Sequence, residues 1–298
     1  MSAAGADEGA WTRLTELGVL RVSGADAISF LQGQLSNDLA RLERERALLS
    51  SLNTPQGRVV AVLWLVQRRD GIMAILPAAL VAPVIERLRK YVLRAKVTLH
   101  DESTRWAIAG LLEVAAGGTH SNAPAAGDEF SVHTLPGGAR RHLLIAPSHT
   151  LESVASRFVT SMTAADRWRL AAIESGEPQV YPATSDLFVA QMLNLDLIDG
   201  VSFTKGCYTG QEIIARTQHR GRIKRRMLRY GLRYSATLKP GDAVQIDHHS
   251  GRVVEFAART AGEGEILAVM SLEGAPRTES AGLSAERLPL PYSIPDLD

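Results

Sequence analysis

Between Lys205 and Glu212 the chain reads Lys-Gly-Cys-Tyr-Thr-Gly-Gln-Glu, and Cys207 within it is the sole cysteine of 298 residues. The thiolate is the nucleophilic and metal-ligating form of that side chain. An ammonium two residues away, at Lys205, favours it provided the thiol is not buried among apolar groups. Gly206 and Gly210 bracket the motif at a spacing that suits a tight turn, where backbone can approach a ligand closely. The other reading of a lone cysteine is a small, buried, apolar residue.

A single thiol bounds the chemistry. It excludes an internal disulfide, which fits a reducing compartment and a cytoplasmic location. It supplies no CxxC pair for zinc, and His248-His249 is too isolated to propose as a metal pair, so no metal site is expected. After Glu212 the cations Arg216, Arg220, Arg222, Lys224, Arg225, Arg226 and Arg229 follow without an intervening carboxylate. They make an anion-attracting patch if they share a face. In a strand, Arg222, Lys224 and Arg226 would point one way and Arg225 the other. The alternative is a solvated strand and turn. No aromatic residues interleave these charges, so a single-strand nucleic-acid groove is poorly supported there.

The elements that must position this stretch can be read from the whole chain. A length of 298 residues predicts two or three domains. Hydrophobic content of 45%, charged content of 22% and a formal net charge of +1 describe a globular chain with no bulk affinity for nucleic acid. The first ten residues lack the basic start and apolar core of a signal peptide. The longest apolar run, Val59 to Val66, is far shorter than the ~20 residues a membrane-spanning helix needs and reads as a buried strand.

In chain order, a strand over Gly18 to Val22 precedes a helix whose apolar face is Ile28, Leu31, Leu35, Leu39 and Leu42. Strands at Ala47–Asn53, Gly57–Val66 and Gly71–Leu76 form a meander, with a turn at Thr54-Pro55-Gln56-Gly57. Pro77 opens a helix carrying Leu80, Val84 and Leu88, and Lys96 to His100 returns as a strand. Strands follow at Trp106–Leu112, Phe130–Leu135 and Arg141–Ala146, with a Gly/Ala/Ser-rich insertion from Val114 to Gly127. Helices are expected at Thr150–Met162 and Ala164–Ser175. From Met227 onward the chain becomes short strands and turns, a small β-barrel ending in an extended proline-rich tail. The fold class is α+β, since an antiparallel meander argues against a doubly wound sheet.

Several phrases together carry a resemblance. They are Phe30-Leu31-Gln32-Gly33-Gln34, Arg89 to Val97, Trp168 to Pro178, Ala190 to Asp196, and the cysteine motif through Arg225. The chain resembles the YgfZ family of folate-binding proteins, relatives of the glycine-cleavage T-protein (aminomethyltransferase), loosely in its first half and closely from Trp168 to Arg226. One departure is Ala190, where the family usually has proline. The resemblance implies a T-protein-like fold of two α+β subdomains plus a C-terminal β-barrel around a central cavity. It divides the chain into a folate-binding region, 1–226, and a barrel with its tail, 227–298.

The same resemblance implies the site. Cys207 would be the working thiol and Lys205 its neighbour. Glu174, in a Glu-x-Gly phrase, would accept N–H bonds from the pterin edge of a tetrahydrofolate. Gln211 and Glu212 would shape the thiol's setting, and Arg216 with Arg222 would hold the folate tail or a partner. The T-protein's catalytic aspartate has no counterpart, because Val59, Val60 and Ala61 follow the Asn53-Thr54-Pro55-Gln56-Gly57 turn, and an apolar side chain accepts no proton.

The implied function is a folate-binding accessory protein that supports iron-sulfur cluster assembly or repair in client enzymes, including those that thiolate tRNA, with tRNA a partner only indirectly. Such clusters usually take four thiolates, so one cysteine must share ligands with a partner, act by redox chemistry or form a transient adduct. The alternatives are a tetrahydrofolate-dependent one-carbon transferase with a relocated acid, and a module binding tRNA directly through Arg216 to Arg229.

Overall fold

Apolar residues at alternate or successive positions make strands the main regular structure among the described residues. The structure, a computed structural model, describes residues 9–43, 46–112, 129–137, 141–159, 161–220, 223–273 and 285–295, with the side chains of 219 and 220 outside that description. The expected insertion from Val114 to Gly127 also lies outside the described residues. Contacts divide the chain into two compact units. The first comprises Met1–Phe30, Leu39–Leu48 and Trp64–Trp168, and the second Leu31–Asp38, Leu49–Leu63 and Arg169–Asp298.

In chain order the elements begin with β1 (Ala10–Arg13), β2 (Leu17–Ser23), α1 (Ala27–Gln32), β3 (Leu48–Asn53), β4 (Val59–Arg68), β5 (Gly71–Pro77) and α2 (Ala78–Val92). They continue with β6 (Thr98–Asp101), β7 (Trp106–Leu112), β8 (Ser131–Thr134), β9 (Arg141–Pro147), α3 (Leu151–Ala155) and α4 (Ala165–Glu174). The last are α5 (Gln211–Arg220), β10 (Arg225–Arg233), β11 (Ala243–Ile246), β12 (His249–Thr260), β13 (Glu263–Ser271) and β14 (Ala285–Leu288).

One sheet has the order β3-β4-β5-β2-β6, the expected meander extended by β2 and β6. The boundary between the units falls inside β4, after Leu63. Val59 to Val66 are all buried, which is why this strand reads as one apolar run instead of alternating. In the first unit, α2 turns Leu80, Val81, Val84, Ile85 and Leu88 inward, and it comes close to β2 at Gly18, where a Cβ would lie 2.8 Å from Val81. A second sheet, β1-β7-β9-β8, packs Trp11, Ala109, Leu111 and Leu144 against Leu151 and Val154 of α3.

The second unit ends in the sheet β11-β12-β13-β10-β14, antiparallel throughout. Its core is Leu228, Tyr230, Leu232, Val253, Ile266, Ala268 and Met270, with Ile294 of the tail. This is the expected C-terminal β-structure, in an open strand order among the described residues.

Two helices are shorter than their apolar spacing predicts. α1 stops at Gln32, because Gly33 is a poor helix former and Ser36 and Asn37 give their side chains to other backbone groups. α3 stops at Ala155, although Phe158 still packs on its core. The stretch before Arg225 holds α5, a helix through Arg220, which neither reading of the basic run, a shared charged face or a solvated strand and turn, included.

Candidate functional site

The cysteine motif is held from below by a buried polar platform. Ser36, Asn37, Ser50 and Ser51 are all fully buried. The Asn37 amide donates to Leu49 O and Asp199 O, each at 2.7 Å, and its oxygen accepts from Asp38 N at 2.8 Å. The Ser36 hydroxyl donates to Gly200 O at 2.7 Å and accepts from Ser51 N at 2.8 Å. Buried polar groups satisfied in this way fix one arrangement of the segments that carry them.

Lys205 closes that platform. Its ammonium donates to Gln32 O at 2.7 Å, Leu35 O at 2.8 Å and Asn37 O at 2.7 Å. Those three bonds use all three of its donors. Gln32 and Leu35 lie at and just beyond the end of α1, where carbonyls lack intrahelical partners and a positive charge is favoured. Burial pulls the Lys205 pKa down to about 8, against the upward pull of Asp38. The sequence places this cation beside a thiol. In the structure its hydrogen bonds go to the backbone.

Cys207 is exposed, between Lys205 and Tyr208, both nearly buried. A Cβ on Gly206 would meet nothing within 4 Å, so the loop is open around the thiol. Gly210 is different. At φ +86° its Cβ would lie 2.5 Å from Thr54 O, so its close approach is to the 54–57 turn of the same chain. Gly57, at φ +73°, meets Ile213 of α5 in the same way. α5 starts with Gln211, whose Oε1 accepts from Tyr208 N at 3.3 Å, and Gln191 donates to Ile214 O at 2.7 Å. Glu212 and Arg216 pair with each other at 2.8 Å on the exposed face of α5.

Among the described side chains of the cation row, Arg225 alone is exposed without a carboxylate partner, and the others are paired. Lys224 pairs with Glu273, and Arg226 makes a bidentate bond to Asp196 at 2.7 and 3.0 Å with both side chains 2% exposed. Arg229 pairs with Glu265 at 2.7 Å. Arg222 lies outside the described residues. The carboxylates come from positions remote in sequence, which reading the run alone cannot reveal.

Glu174 sits at the end of α4 and is half-exposed. Its Oε1 accepts from Arg259 at 3.1 Å and lies 3.5 Å from Arg229. Both arginines also bond Glu265. Burial works to raise the Glu265 pKa, yet the two arginines hold it below its ordinary value. A cleft of about 560 Å³, lined by Arg229, Gly231, Arg259, Glu265, Glu286 and Leu288 among others, adjoins this cluster. The structure thus puts Lys205 and Cys207 on one loop, Gln211 at the start of the helix that follows it, and pairs Glu212 with Arg216. Glu174 is joined to Arg229 of β10, a member of the basic run, and to Arg259 of β12, which sequence reasoning did not single out.

Other residues were also missed. Asn194 is fully buried and left-handed at φ 57°, and it donates to Met227 O at 2.8 Å and to the Tyr292 hydroxyl at 3.3 Å. Tyr292 in turn donates to Gly176 O at 2.9 Å, so the tail is fastened just past Glu174. Burial pushes both Tyr292 and Tyr208 up to about 12. Asn194 and Asp196 belong to a phrase that the sequence marks, but their partners lie about thirty residues on. Among the described residues, no group of three His, Cys, Asp or Glu is placed to hold a metal ion, and no helix is long and apolar enough to cross a membrane.

No protein-family model matches the chain. It is 29% identical over 312 residues to the tRNA-modifying protein YgfZ of Sodalis glossinidius (strain morsitans), covering 94% of this chain and 92% of the relative. It is 29% identical over 303 residues to the protein of the same name from Enterobacter sp. (strain 638), with the same coverage. Its structure is similar to that of the glycine cleavage system aminomethyltransferase T from Bartonella henselae, with a TM-score of 0.63 over 89% of this chain and 78% of that one. At 11% identity that likeness is one of fold. The resemblance and the α+β, T-protein-like fold read from the sequence are both borne out.

Proposed function

From a chain that resembles the YgfZ family over nearly its whole length and has the fold of the glycine-cleavage T-protein, we propose a folate-binding accessory protein. Its role is to support iron-sulfur cluster assembly or repair in client enzymes, among them enzymes that thiolate tRNA. The observation that carries this reading is the exposed Cys207 on an anchored loop, within the motif that carries the resemblance. A thiol presented to solvent can meet a client protein's cluster or thiol, which a buried packing cysteine cannot.

The residues present fit a pterin at Glu174. Its Oε2 accepts no hydrogen bond among the described residues, which leaves a half-exposed carboxylate oxygen for the N–H donors of an aminopyrimidine edge. Arg229 and Arg259 orient that carboxylate. Bound there, a tetrahydrofolate supplies a reduced pterin and a one-carbon carrier. The protein's share is to orient the ring, and Cys207 supplies the thiol. The cluster is cargo held jointly with the client, since one thiolate covers one of the usual four positions.

The test compares wild type with Cys207→Ala for tetrahydrofolate binding, and compares the activity of a cluster-dependent tRNA-thiolating enzyme in cells carrying each form. Equal folate binding with activity lost only in the alanine form is the expected result. Full activity in the alanine form removes Cys207 from the mechanism.

A further inference from the structure

A run of exposed cations without carboxylate partners lies away from the cysteine motif, at the end of α2. Arg89 and Lys90 in the last turn of that helix, and Arg94 and Lys96 just beyond it, are exposed. None of the four has a carboxylate partner among the described residues. The nearest acids in sequence and contact are Glu86, exposed one turn before Lys90, and Asp26, whose carboxylate accepts from the Lys96 backbone N–H at 2.7 Å.

Two apolar residues stand among these charges. Tyr91 is 41% exposed and Leu93 is 88% exposed. Leu93 also has φ 44° and ψ −103°, a backbone state that a branched L side chain adopts at a cost, and with its side chain in solvent no packing offsets that cost. The dipole of α2 accounts for cations at its last turn. It does not account for a strained, solvent-facing leucine or for cations past the helix end.

We propose that the C-terminal turn of α2 is a contact surface for RNA, with Arg89, Lys90, Arg94 and Lys96 on the phosphate backbone and the Tyr91 ring stacked on an unpaired base. Four exposed cations within an eight-residue stretch that also exposes an aromatic ring suit a polyanion whose bases carry π-faces. An acidic protein is the other class of partner. One leucine and part of one tyrosine ring fall short of the apolar centre that protein interfaces bury. The surface uses neither the thiol nor the folate site, so it stands or falls separately from the function proposed above.

The test is binding of purified unfractionated tRNA to the full chain by filter retention at 50 and 200 mM KCl. Wild type should bind with steep salt dependence. Lys90→Glu/Arg94→Glu should bind at least tenfold more weakly, with the slope of log K against log salt reduced by about 1–2, as expected for roughly one unit per lost phosphate contact. Tyr91→Ala should weaken binding with the salt slope unchanged, and Arg233→Glu, whose wild-type arginine is exposed and paired with Glu263, should bind as wild type. Leu93→Gly, which relieves the backbone, should melt at a higher temperature and bind more weakly.

No binding by wild type at 50 mM KCl, or wild-type binding by the double variant, overturns the proposal. So does equal weakening by Arg233→Glu, which would reduce the effect to net charge. Displacement of tRNA by an equal weight of poly-L-glutamate, with Tyr91→Ala silent, assigns the surface to acidic proteins and overturns it as well.

Discussion

Lys205 and Tyr208, which flank the exposed Cys207, are joined to each other: the ammonium nitrogen lies 5.1 Å from the centre of the phenol ring. The same nitrogen donates to three carbonyls of the 32–37 segment, so the loop is held on both sides of the thiol by one cation. A charge that ties three backbone groups and a ring is a structural fastener, and its removal should be read first in stability.

Lys205→Met keeps the length of the side chain and removes its donors. Two buried carbonyls and a half-buried one lose their partner, which should cost about 2–6 kcal/mol at roughly 1–3 kcal/mol for each of the two buried groups left unsatisfied, the third being recovered by water. Urea unfolding at pH 7 measures this. Alkylation of Cys207 should change no more than about twofold in rate, since the lost hydrogen bonds were never to the sulfur. A large fall in alkylation rate with unchanged stability would mean that the ammonium serves the thiol instead.

The pH dependence has two limbs. Lys205 titrates near 8 in the folded chain against 10.5 when free, so between those values the unfolded chain binds more protons and stability rises with pH. Tyr208 and Tyr292 are pushed from 10 up to about 12, so the folded chain keeps protons that the unfolded chain loses, and stability falls as pH passes from 10 to 12. Urea midpoints between pH 7 and 11 should therefore rise from 8 and turn near 10. Lys205→Met should abolish the rising limb, and Tyr208→Phe should flatten the falling one.

The two motif glycines should respond unequally to alanine. Gly206→Ala enters open space and should leave stability within about 0.5 kcal/mol. Gly210→Ala combines a left-handed backbone with a Cβ 2.5 Å from Thr54 O, and should cost at least the ~1–3 kcal/mol of a strained residue. Thermal melts of both variants decide it, and equal melting temperatures would contradict the packing of the 54–57 turn on Gly210.

The cations after the motif should divide by burial. Asp196→Ala leaves the Arg226 guanidinium buried without its carboxylate and should cost about 3–5 kcal/mol. Arg216→Ala breaks an exposed pair and should cost less than about 1 kcal/mol. Chemical unfolding of the two variants separates an ion pair that fastens the structure from one that decorates it.

Much of the fold was legible because its strands announce themselves. Val59 to Val66 is apolar without a break, and the Thr54-Pro55-Gln56-Gly57 turn ahead of it has ordinary turn chemistry. α5 was not legible, since Ile213 and Ile214 are adjacent and give no helical period. The fate of Lys205 was hidden for another reason: its three acceptors are backbone carbonyls, which have no residue-type signature. The basic run misled because Asp196, Glu265 and Glu273 neutralise it from a distance along the chain. Residue types showed that a thiol, a carboxylate and cations were present. Only their pairing showed which cations were already taken.

The open space around Gly206 and Cys207 has a kinetic meaning. A sulfur at the bottom of a cavity meets whatever diffuses in, and its rate is set by small-molecule concentration and pocket fit. Under the function proposed above, a sulfur carried outward on an anchored loop meets a client protein, so its encounters are second order in two proteins and orientation limits them to about 10⁵–10⁷ M⁻¹s⁻¹. On that reading the abundance of the client and the charge on its approaching face govern turnover at this thiol.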